Sequence, residues 1–173
     1  MSNAFSRRDF LKASAAAVLA LSVSGALTGC GEQDKIPTAV IKLGEFEVTV
    51  SADMMLTGNE VVGGDENSTS YLCKPNVTVK YNGNAFAGAK FKDAFSAKIG
   101  DDGLKLNNEG NWIARANFSR VETYVPEFGA STASYNAFKK GTPFKLYVTL
   151  QERTAEFTLT SAGKITVAAV EKK

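Results

Sequence analysis

Between Phe144 and Ala169 three runs of residues alternate apolar and polar side chains with a period of two. They are Phe144, Leu146, Val148 and Leu150; then Ala155, Phe157 and Leu159; then Ile165, Val167 and Ala169. Successive side chains of a strand point to opposite faces, so this spacing predicts half-buried strands rather than helices. A four-residue connection at 151–154 would set Val148 opposite Phe157 and Leu146 opposite Leu159. A five-residue connection at 160–164 would set Phe157 opposite Val167. The three apolar faces then coincide, and Val148, Phe157 and Val167 are expected to meet in a core.

The same period recurs upstream. Ala39, Ile41 and Leu43 are apolar at odd positions, whereas Phe46, Val48 and Val50 are apolar at even ones. The parity slips at Gly44, where a bulge or kink would keep one face inward. Asn82-Gly83 predicts a hairpin with Val79 opposite Phe86. Asp102-Gly103 predicts another with Ile99 opposite Leu106, because both dipeptides suit a turn with positive φ. Trp112, Ala114, Ala116 and Phe118 read as one face of a further strand, with Trp112 in the core. Residues 51–70 and 119–142 read as long loops, the second with a helical turn from Ser131 to Phe138. The expected fold is all-β: an antiparallel β-sandwich of immunoglobulin-like architecture over residues 38–173, with a small β-barrel as the alternative.

Composition removes several chemistries. Histidine is absent. Ser-His-Asp and Cys-His catalysis and His-ligated zinc, copper or haem are therefore outside this chain's reach. No Walker or dinucleotide-binding fingerprint occurs, and neither a cofactor nor a metal site is expected. Ser161-Ala162-Gly163-Lys164 matches an S-x-x-K string but sits in an expected hairpin loop, so it reads as a polar turn. Asp101 and Asp102 lack the spacing of a calcium loop. Of 20 Lys and Arg and 18 Asp and Glu, three basic residues and one acid precede residue 30, which leaves 17 of each sign beyond it. That balance does not point to nucleic acid as a partner.

The first thirty residues carry an address. Ser6-Arg7-Arg8-Asp9-Phe10-Leu11-Lys12 opens a basic segment, and 13–29 follows as a short, Ala- and Ser-diluted apolar stretch ending in Leu27-Thr28-Gly29-Cys30. A charged start, a short apolar run and a small-residue cleavage site have the layout of a signal peptide. The first string resembles the twin-arginine export motif, with Arg7, Arg8, Phe10 and Leu11 as its recognition residues. The second resembles the lipobox of bacterial lipoproteins. The resemblance implies cleavage before Cys30, acylation of Cys30, and anchorage on the extracytoplasmic face of a bacterial envelope membrane. Its implied partners are the twin-arginine translocase, the lipoprotein-processing enzymes and membrane lipid. Residues 30–37 then read as a lipidated tether.

With Cys30 acylated, Cys73 is the remaining thiol, expected to be buried and inert. Tyr124, Phe128 and Tyr135, in the expected loop 119–142, are the candidate ligand-binding aromatics. The sequence points to a non-enzymatic binding or interaction module for a protein or glycan ligand. A subunit, or a redox or hydrolytic enzyme using carboxylates or Cys73, is the alternative.

Overall fold

The computed structural model describes residues 36–59 and 70–170. The twin-arginine string, the lipobox with Cys30, and the Gly63–Ser68 stretch lie outside the described residues. Among those described, the strands are β1 (Thr38–Leu43), β2 (Phe46–Ser51), β3 (Met55–Asn59), β4 (Ser70–Lys74), β5 (Val77–Tyr81), β6 (Ala89–Lys90), β7 (Phe95–Ile99), β8 (Asp102–Leu106), β9 (Trp112–Ile113), β10 (Arg120–Tyr124), β11 (Phe128–Ala130), β12 (Phe144–Leu150), β13 (Arg153–Leu159) and β14 (Ile165–Val170). Two short helices, α1 (Phe91–Ala94) and α2 (Thr132–Lys139), interrupt them.

The fold is all-β and antiparallel. A four-stranded sheet runs β1-β2-β5-β10, an eight-stranded sheet runs β14-β13-β12-β7-β8-β11-β4-β3, and β6-β9 form a two-stranded ribbon. Inward side chains of both larger sheets belong to one hydrophobic cluster, with Phe46, Phe128, Phe144 and Phe157 as its largest fully buried members. The β1 edge of the smaller sheet lies close to β14 and β13 of the larger one. No described helix is long and apolar enough to cross a membrane.

The C-terminal meander forms as expected in topology but with one turn tighter. Leu150 pairs with Arg153, so Gln151 and Glu152 alone make the connection. Leu146 therefore faces Phe157, and Val148 faces Ala155. Both turn residues have positive φ, at 45° and 66°. A two-residue turn of this hand is normally announced by Asn-Gly, which is why Gln-Glu hid it. The slip is two residues, so the apolar faces of β12 and β13 stay inward, whereas on β14 Ile165 and Val167 are only half-buried and Ala169 is exposed. Phe157 faces Val167 as expected.

Three local readings are corrected. Gly44 is not a bulge. It opens a two-residue turn between β1 and β2, with Leu43 paired to Phe46. Its φ of +65° suits the first central position of a type II′ turn. A hairpin reverses the chain and keeps both runs on one face, which explains the parity slip equally well. The β7–β8 turn is Gly100-Asp101, with Gly100 at φ +60°, and Ile99 faces Asp102 rather than Leu106. Asn82-Gly83 makes no hairpin. Val79 is flanked by Val48 and Glu122, because β2 and β10 occupy both edges of β5, and Phe86 bridges to Ala116 instead.

Two further corrections concern longer stretches. Residues 51–70 include β3, paired with β4 from Met55–Lys74 to Asn59–Ser70. Residues 119–142 are not one loop but β10, β11 and α2. The helical turn expected at Ser131–Phe138 is α2, whose N-cap Ser131 accepts a hydrogen bond from the Ser134 amide at 3.1 Å. Ser131 and Ser134 hydroxyls lie 2.8 Å apart, and that of Ser134 donates to Asp102 Oδ2. The helix is thereby tied to the β7–β8 hairpin.

Gly44 tests the β1–β2 turn directly. A Cβ there would sit in the left-handed region and meet the flexible end of Arg153, 2.6 Å away, which can move aside. The conformational term dominates, so Gly44→Ala should cost about 1–2 kcal/mol in a urea titration. An unchanged midpoint would mean that the turn residue is elsewhere.

Candidate functional site

The three candidate aromatics do not share a surface. Phe128 is fully buried on β11, between Cys73 of β4 and Leu106 of β8. It belongs to the core and is withdrawn from the candidate surface. Tyr135 lies on α2, and its ring stacks on Tyr71 of β4 at 3.8 Å between centroids and 4° between planes. Both rings are half-buried. Tyr124 lies on β10, at the edge of the smaller sheet.

Tyr124 is the centre of the densest polar arrangement on that sheet. Its hydroxyl donates to Glu122 Oε2 at 2.5 Å and accepts from the Ala114 amide at 3.0 Å. Arg120 donates to Glu122 Oε1 through Nε at 2.7 Å and also through Nη2, while its Nη1 reaches the Arg115 carbonyl at 3.1 Å. The hydrogen bonds from Tyr124 and then from Arg120 hold the Glu122 carboxyl below the usual carboxylate range. Burial, and then the bond to Glu122, push the Tyr124 hydroxyl up to about 12. These three side chains rim a cleft whose apolar walls include Phe46, Val79 and Phe86. Its volume is about 10 Å³, barely what a single water requires. It is a rim for surface contact rather than a pocket that engulfs a ligand.

β10 carries this rim because it is an edge strand. Arg120, Glu122 and Tyr124 pair with Tyr81, Val79 and Val77, whose side chains are buried, so all point to the inner face. Val121 and Thr123 face outward. An edge strand is covered incompletely on its inner side, so it tolerates charge there. That is also why the sequence concealed it: Arg-Val-Glu-Thr-Tyr carries no apolar alternation.

Trp112 is corrected too. It is 53% exposed, whereas its neighbour Ile113 is buried. β9 is only two residues long, and the chain beyond it shifts parity so that Ile113 and Ala116 point inward. Trp112 pairs across the ribbon with Lys90, whose ammonium lies 5.4 Å from the ring centroid. Phe118, expected on the same inward face, is 82% exposed.

Cys73 is 1% exposed and unpaired, and burial raises its thiol from the ordinary 9.0 to about 11. A thiol so placed is a poor nucleophile at neutral pH. Ser161 and Lys164 lie in the β13–β14 turn, where the Lys164 amide donates to Thr160 Oγ1 at 3.2 Å. The polar-turn reading fits that geometry. Among the described residues, no three or more Cys, Asp or Glu side chains gather as a metal ion would need.

No protein-family model, no curated protein and no solved structure matches this chain.

Proposed function

We propose that this chain is a lipid-anchored, extracytoplasmic β module of a bacterial envelope that works by recognition rather than catalysis. The observation that carries the reading is the order of Ser6-Arg7-Arg8-Asp9-Phe10-Leu11-Lys12, the short apolar stretch and Leu27-Thr28-Gly29-Cys30. β1 begins at Thr38, eight residues beyond Cys30. An extended tether of that length spans at most about 28 Å, which would hold the fold close to the membrane surface. Two acyl chains on Cys30 would make the attachment stable. The exposed rings of Trp112 and Phe118 and the Arg120–Glu122–Tyr124 rim supply the aromatic and charged groups that surface recognition uses.

Cys30→Ser should abolish incorporation of a fatty-acid probe and leave the signal peptide uncleaved by lipoprotein processing. Replacing Arg7 and Arg8 together with Lys should leave precursor in the cytoplasm. Continued labelling of the Cys30→Ser chain would refute the anchor, and normal export of the double variant would refute the route.

A further inference from the structure

The smaller sheet has two ends of different character. At one, β1 lies against β14 and β13. At the other, β10 pairs with β5 and with no second strand among the described residues. The outer side of β10 therefore presents a row of amide and carbonyl groups able to accept another strand. Exposed apolar side chains flank that edge: Phe118 is 82% and Val121 59% exposed.

We propose that β10 pairs antiparallel with β10 of a second copy of this chain, in a two-fold register with Val121 opposite Val121. The choice of occupant rests on charge. A two-fold that continues the sheet with like faces together must set one residue opposite itself. Centring on Arg120 would oppose two guanidinium groups across the edge, and centring on Glu122 would oppose two carboxylates; like charges directly opposite are destabilising. Centring on Val121 sets Arg120 of each copy opposite Glu122 of the other. The intrachain Arg120–Glu122 pair then becomes a closed network of four alternating charges. The same register sets the exposed, outward-facing Val121 side chains of the two copies side by side across the seam. Inward charges ordinarily guard an edge against pairing. Of the registers centred on residues 120 to 122, they leave only the one on Val121 self-complementary, and a strand of different sequence would not in general satisfy it. The smaller sheets of the two copies become one continuous eight-stranded sheet.

Cysteine cross-linking in envelopes carrying the full chain tests the register. Cross-strand neighbours have Cα atoms about 4.5–5.5 Å apart, within disulfide reach. Val121→Cys should give a disulfide-linked dimer on mild oxidation, with the unsubstituted chain as control for Cys30 and Cys73. Thr123→Cys should not, because in this register the two copies of position 123 lie on opposite sides of the two-fold axis, four residues out of register with each other. Charge reversal supplies an independent readout by sedimentation equilibrium of the detergent-solubilised chain. Arg120→Glu and Glu122→Arg should each weaken self-association at least about tenfold. The double reversal should restore it. Equal cross-linking at 121 and 123, single reversals without effect, or a chain that stays monomeric at every soluble concentration would each overturn the proposal.

Discussion

Phe157→Ala should destabilise the fold by about 3–5 kcal/mol, the range for truncating a fully buried Phe. The ring is 0% exposed at the middle of β13, between Leu146 of β12 and Val167 of β14. Alanine would leave a cavity walled by strands hydrogen-bonded on both sides, which cannot collapse without breaking a sheet. Equilibrium urea unfolding measures the change. A loss below about 1 kcal/mol would place the ring at the surface and undo the register of the whole meander.

The second large effect is alkaline. The folded state holds the Cys73 proton more tightly than the unfolded chain does, because burial raises its thiol from 9.0 to about 11. Deprotonation therefore favours unfolding. The contribution is fully present below pH 9 and is lost as pH rises through about 11. Two pKa units correspond to about 3 kcal/mol. Burial also raises the Tyr124 and Tyr81 hydroxyls, so each adds an alkaline loss of its own. The difference between the native chain and Cys73→Ala isolates the thiol. By pH 11 the native chain should have lost about 2 kcal/mol relative to Cys73→Ala, with the rest lost above that pH. Parallel curves would mean that Cys73 ionises freely in the folded state.

The strands most legible in the sequence are those buried on one face along their whole length, with half-exposed β14 the exception. Phe144–Leu150 and Ala155–Leu159 alternate without exception, and their inward residues are all at most 1% exposed. The polar edge strand β10 and the shortest segments give no such signal, although the edge strands β1 and β14 do alternate. β10 is an edge, β9 has two residues and β11 three, so no period can establish itself. Turns failed where chemistry and geometry part. Asn82-Gly83 has ideal hairpin residues, yet long-range pairing of β5 with β2 and β10 prevails. Gln151-Glu152 has unsuitable residues, yet two seven-residue strands impose positive φ on both. The candidate aromatics were separated for the same reason. Phe128, Tyr124 and Tyr135 are near in sequence, but a strand, a second strand and a helix carry them to the core, the small sheet and the face over β4.

The strand order also sets a tempo. β4 pairs with β11, β5 with β10 and β7 with β12, so both large sheets close only when distant parts of the chain have met. Such pairings cost loop-closure entropy before they yield any contact, and topologies dominated by them fold in milliseconds to seconds rather than microseconds. During that interval unpaired edges and apolar strands such as β12 and β13 are open to wrong partners. The proposed export would favour a chain of this topology that finishes its search before passage. That sequence of events, folding first and passage second, is the one that the resemblance at Arg7-Arg8 implies.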